Sequence, residues 1–97
     1  MIKLKEAKKI LKEIDPFLKE KFKVKKIGIF GSYVTGKQKK ASDLDVLVEF
    51  SEPIGLFAFI ELEYFLKRQL GIKVDLVMKD ALKPRIRKRI IQETVYA

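Results

Sequence analysis

A chain of 97 residues allows one domain with one modest core, read here as spanning 1–97. With 47% hydrophobic and 36% charged residues, it is neither disordered nor membranous in composition. Lys and Arg number 22 against 13 Asp and Glu, a net charge of +9 that favours anionic partners, and the lack of Cys and His excludes disulfides, zinc–thiolate sites and imidazole bases.

Leu4, Ala7, Ile10, Leu11 and Ile14 recur at helical spacing, so an amphipathic helix is expected over 2–14. Asp15-Pro16 interrupts that run, and Phe17, Leu18 and Phe22 continue its apolar face beyond a fresh turn. Val24 to Phe30 reads as a strand ended by Gly31, followed by a short helical turn after Ser32. The segment 36–41 is a polar, cationic loop. Asp43 to Phe50 reads as a second strand whose nearly continuous apolar run fits burial on both faces. A helix is expected from Glu52-Pro53 to Leu70, with Gly71 ending it. Ile72 to Met78 is a third strand, and 80–96 a final helix with Pro84 near its first turn. The order α-β-α-β-α-β-α predicts an α/β (α+β) fold: a small mixed sheet of three or more strands covered by helices. The longest uncharged apolar run, 53–60, is too short to span a bilayer, and the N-terminus lacks signal-peptide features, so a cytoplasmic address with no membrane attachment is expected.

Three carboxylates stand out. Asp43 and Asp45 are two apart at the start of an apolar strand, where i and i+2 share a face about 6.5 to 7 Å apart at Cα. Two like charges so placed are costly unless a cation offsets them, and such a pair can converge on one divalent ion or share two. Asp75 lies in another apolar strand and needs a partner or exposure; a neighbouring strand could bring it to the pair. With neither His nor Cys, an all-oxygen site would hold magnesium, manganese or calcium. Gly31-Ser32 follows a strand and precedes a possible helix turn, a setting in which backbone N–H groups can approach phosphate closely. Each feature also has a plain structural reading. Asp75 could face solvent or pair with Lys73, Asp-x-Asp could open a strand-initiating turn, and Gly-Ser could simply end a strand. Neither Gly-x-x-x-x-Gly-Lys nor Gly-x-Gly-x-x-Gly is present.

The composite is more specific than its parts. Gly31-Ser32-Tyr33-Val34-Thr35-Gly36, then Ser42-Asp43-Leu44-Asp45-Val46-Leu47-Val48, then Lys73-Val74-Asp75-Leu76-Val77 resembles the minimal nucleotidyltransferase (MNT) group of the DNA polymerase beta superfamily, over nearly the whole chain. The resemblance implies a nucleotidyltransferase fold in which Gly31-Ser32 holds the triphosphate of ATP. It implies that Asp43 and Asp45 bind Mg2+, with two ions expected, and that Asp75 joins them and helps to activate the attacking hydroxyl. It further implies transfer of AMP to a hydroxyl on a HEPN-domain protein, in a toxin–antitoxin pair. Many relatives carry Arg where this chain has Thr35; an Arg there could grip phosphate bidentately and Thr cannot, leaving Lys37, Lys39 or Lys40 as mobile point charges.

A domain this short has nothing left with which to grip an acceptor, so an open site serving a second protein is expected, as a homo-oligomer or hetero-complex. The apolar residues spread around the helix at 55–70 agree with that, or with a helix buried all round. Two rival readings remain at this level: a non-catalytic nucleotide-binding antitoxin that acts by occupying its partner, and a nucleic-acid-binding protein that uses the basic run at 83–89. That run lacks interleaved aromatics, which favours a cationic helix face over a nucleic-acid site.

Overall fold

The computed structural model describes residues 2–97. Helix α1 (Leu4–Phe22) runs without a break through Pro16, contrary to the interruption expected there. Proline inside a helix removes one backbone hydrogen bond and crowds the preceding turn, at roughly 3 kcal/mol. The buried stripe Ala7, Leu11, Leu18 and Phe22 lies on both sides of Pro16 and outweighs that local preference. Lys19 also reaches back to Asp15 at 3.1 Å, an i,i+4 ion pair spanning the turn that contains Pro16. Lys23, in the left-handed region at φ 59°, ends the helix by donating its N–H to the Leu18 carbonyl.

Strand β1 (Val24–Phe30) pairs antiparallel with β2 (Leu44–Phe50), and β3 (Val74–Met78) pairs parallel with β2. A one-turn helix, α2 (Ser32–Thr35), leads from β1 into the cationic loop. Between β2 and β3 runs α3 (Leu56–Leu70), ended as expected by Gly71 at φ 67°. It begins later than expected: Glu52 precedes proline and is biased against helix, and Gly55 takes the extended cap position.

The end of the chain departs most from expectation. Lys79–Ala81 forms a single 3-10 turn, α4 covers Pro84–Glu93 with Pro84 in its first turn, and Val95–Tyr96 forms a fourth strand, β4. Lys83 is held extended by the proline after it, which delays the helix. Thr94 closes α4, its hydroxyl donating to the Ile90 carbonyl at 2.6 Å. The two β-formers that follow pair with Gly28 and Ile29. The sheet order is β3-β2-β1-β4.

The register divides the sheet into two faces. Ile29 opposes Val46 and Ile27 opposes Val48, and these four pack with Leu11 and Leu18 of α1 and Leu62 and Leu66 of α3 in one core. The alternate residues, Gly28 opposite Leu47 and Phe30 opposite Asp45, face the other way. Asp45 and its β3 partner Asp75 therefore belong to the face away from α1 and α3.

Candidate active site

Asp45 sits one residue inside β2 and is matched across the parallel ladder by Asp75 on β3. The two carboxyls are within hydrogen-bonding reach of each other. Asp43 lies just before β2 rather than within it, and is exposed. It still adds its charge to the neighbourhood: the Asp45 pKa is pushed from 3.8 to about 6, first by burial, then by the charges of Asp75, Asp43 and Glu93. Ser42 serves the loop, accepting the Lys39 N–H at 2.8 Å.

Gly31 is the pivot of the site. Its φ of 78° with ψ of −149° is a conformation that only glycine adopts readily. A Cβ there would also overlap the Asp45 carboxylate, which lies against the Gly31 backbone. The turn beyond is tied locally, with Val34 and Thr35 N–H groups donating to the Gly31 carbonyl at 3.0 and 3.1 Å. Tyr33 anchors it in the core. Thr35 is exposed, and its hydroxyl faces the Gly31 and Ser32 carbonyls at 3.3 and 3.5 Å rather than standing free for a phosphate.

Glu93, at the end of α4, was not anticipated as a site residue. Its Oε1 accepts the Gly31 N–H at 2.6 Å. The expected helix through Tyr96 hid it; the break at Thr94 and the return of Val95 along β1 carry it to the turn.

Asp43, Asp45, Asp75 and Glu93 thus form an acidic neighbourhood, and among the described residues none of them is ion-paired to Lys or Arg. No three acidic side chains among those residues are arranged around a single point that would hold an ion. The donor set nevertheless suits a hard divalent cation: all oxygen, partly desolvated and short of positive charge. Beside it lies a shallow cavity of about 250 Å³, lined by Lys40, Ala41, Ser42, Asp43, Ile72 and Lys73. A larger cavity of about 330 Å³, bordered by Glu49, Glu52 and Asp80, lies at the opposite ends of β2 and β3, away from this chemistry.

This arrangement has known counterparts. The nucleotidyltransferase-domain family matches residues 5–97, the acidic neighbourhood and Gly-Ser turn included. The chain belongs to that family. It is 49% identical over 96 residues to the protein adenylyltransferase MntA of Thermococcus cleftensis, covering 99% of this chain and 97% of that one. It superposes with a TM-score of 0.82 and 28% identity on a structure described as a minimal nucleotidyltransferase, over 97% and 95% of the two chains. A toxin–antitoxin complex with AMP-PNP gives a TM-score of 0.72 at 27% identity, over 88% of this chain and 69% of that one. The fold and the enzyme class expected from the sequence, a nucleotidyltransferase with a small mixed sheet of three or more strands, are therefore those of this chain, whose sheet has four. Among the described residues of this nucleotidyltransferase, no helix is long and apolar enough to cross a membrane.

Proposed function

We propose that this single-domain chain is a magnesium-dependent, cytoplasmic enzyme that transfers AMP from ATP to a hydroxyl of a protein partner, a HEPN-domain toxin for which it is the antitoxin. The observation that carries this reading is the pair Asp45 and Asp75, matched in register, with the partly desolvated Asp45 carboxylate set against Gly31. The name of the Thermococcus relative and the toxin–antitoxin complex with AMP-PNP support the substrate and the kind of partner.

Asp43, Asp45 and Asp75 would hold Mg2+, which supplies charge compensation on the phosphates and makes the acceptor hydroxyl more acidic. Ser32 offers its hydroxyl to the triphosphate, while Lys40 and Lys73 border the adjacent cavity and attract the anion. The acceptor oxygen bonds to the α-phosphorus as the bond to the bridging oxygen of pyrophosphate breaks. Asp75 is exposed on the edge strand β3 and in this reading would receive the hydroxyl proton from an acceptor arriving from outside. The chain's contribution is placement and electrostatics.

A protein partner is also supported by α3, where Leu56, Phe57, Ile60 and Tyr64 are exposed, Phe57 at 87%. The second reading, a nucleotide-binding antitoxin without transfer, is favoured by Thr35, whose hydroxyl is directed at its own turn. Incubation with ATP, Mg2+ and the partner decides between them. Transfer gives pyrophosphate and a partner heavier by one AMP, and Asp43→Asn with Asp45→Asn abolishes both. Undiminished transfer by that double variant would refute the proposal, and binding without any mass gain would leave the second reading.

A further inference from the structure

We propose that Glu93 is a positioning residue of the nucleotide site: its carboxylate, by accepting the Gly31 N–H at 2.6 Å, holds the Gly-Ser turn in the conformation that lets Asp45 lie against Gly31. This rests on the reading of the site as nucleotide-binding and goes beyond it, because no part of that reading used α4.

Ala97 donates its N–H to the Ile27 carbonyl at 3.0 Å, so Ile27 directs its backbone groups towards β4. By alternation Ile29 and Gly31 do the same. Pairing with β4 stops at Ile29 opposite Val95, which leaves the Gly31 N–H aimed at a place where no strand continues. Glu93, two residues before Val95, fills that place with a side-chain oxygen. The contact is short for an N–H to oxygen bond and charge-assisted, which makes it roughly twice as strong as a neutral one.

Two close approaches enforce the arrangement. Thr94 and Val95 press on Gly28, where a Cβ would meet Thr94 Cγ2 at 2.6 Å and the Val95 carbonyl oxygen at 2.9 Å. The segment carrying Glu93 is thus seated directly on β1. On its other side Gly31 is pressed by Asp45. Glu93 and Asp45 therefore grip one glycine from two sides, and its positive φ is the shape that fits between them.

The choice of a carboxylate is informative. A neutral acceptor would satisfy the same N–H, yet a fourth negative charge stands beside three aspartates. The contact also revises an expectation: the Gly31 N–H is engaged by Glu93, so phosphate falls to the Ser32 hydroxyl and to the Ser32 and Tyr33 N–H groups, which make no backbone hydrogen bond among the described residues.

The test is a titration of the full chain with Mg2+ and AMP-PNP, by calorimetry and by amide NMR. Glu93→Ala is expected to weaken binding by about tenfold or more, as losses of an orienting partner do. Loss of the charge alone would act on Mg2+ and phosphate in opposite senses, so the uncharged isostere, not the direction of the alanine effect, separates positioning from charge. Glu93→Gln keeps an acceptor at the same reach and is expected to bind nearly as the parent chain does, with the Gly31 amide proton still far downfield. Glu93→Asp keeps the charge but is one methylene short, and is expected to behave like Glu93→Ala; it decides the matter if the alanine variant does not fold. Parent-like or tighter binding by Glu93→Asp and a folded Glu93→Ala overturns this proposal alone. Failure of the parent chain to bind Mg–AMP-PNP overturns the nucleotide site as well.

Discussion

At Gly31 two demands coincide, a positive φ and the approach of a carboxylate, and no other side chain can meet both. Gly31→Ala is expected to destabilise the fold by about 1–3 kcal/mol through backbone strain alone. Because the added methyl also displaces Asp45, Mg–AMP-PNP binding should fall further than the lost stability explains. A denaturant titration beside a calorimetric titration checks this; full binding by a destabilised but folded variant would show that the turn tolerates rearrangement. Gly31, Ser32, Asp43, Asp45 and Asp75 could be picked out of the sequence because each is a polar or glycine interruption in or beside an apolar strand, and because together they resemble a known family. Glu93 could not. It sits in a run of helical spacing among other charged residues, and only the tertiary return of Val95 to β1 gives it a role.

Among the elements, long periodic segments were legible and short or frustrated ones were not. β1 was found at its observed limits because its β-formers begin at Val24 and run up to a terminating glycine. Pro16 misled, since a local rule weighs one hydrogen bond and cannot see Leu18 and Phe22 buried beyond it. β4 has two residues, too few for any period, and exists only through its pairing. The helix at 55–70 left two readings open, and the structure favours the exposed one. Leu62, Leu66 and Leu70 are buried while Leu56, Phe57, Ile60 and Tyr64 are not. Phe57→Asp with Ile60→Asp is therefore expected to lower affinity for the protein partner by about a hundredfold, as loss of apolar anchor residues does, with nucleotide binding unchanged. Co-elution and a binding isotherm read the outcome; an intact complex would move the partner to another face.

For the whole molecule, the acidic neighbourhood writes itself into the pH dependence of folding. Asp45 is raised from 3.8 to about 6, so the folded chain holds that proton more tightly than the unfolded one. Stability should therefore decline as pH rises from about 4 to about 6, and stay at the lower level above that. Comparing thermal unfolding with that of Asp45→Asn across this window isolates the effect from other carboxylates. The difference between the two should shrink at high pH when Mg2+ is added, since a cation replaces the proton as the compensating charge. A pH-independent difference would mean that Asp45 titrates normally. This ledger involves the fold at large, because the four carboxylates come from β2, its preceding loop, β3 and α4.

The seam between β1 and β4 has a consequence of its own. β2 holds β1 along seven-residue strands, whereas the closing strap is stitched by two residues. Such a seam frays first on warming, long before the core gives way. Every fraying event would lift Glu93 from the glycine it steadies, so the molecule would lose its aptitude for ATP at temperatures where its spectrum still looks native. The strap would then act as a thermal fuse, one that resets on cooling.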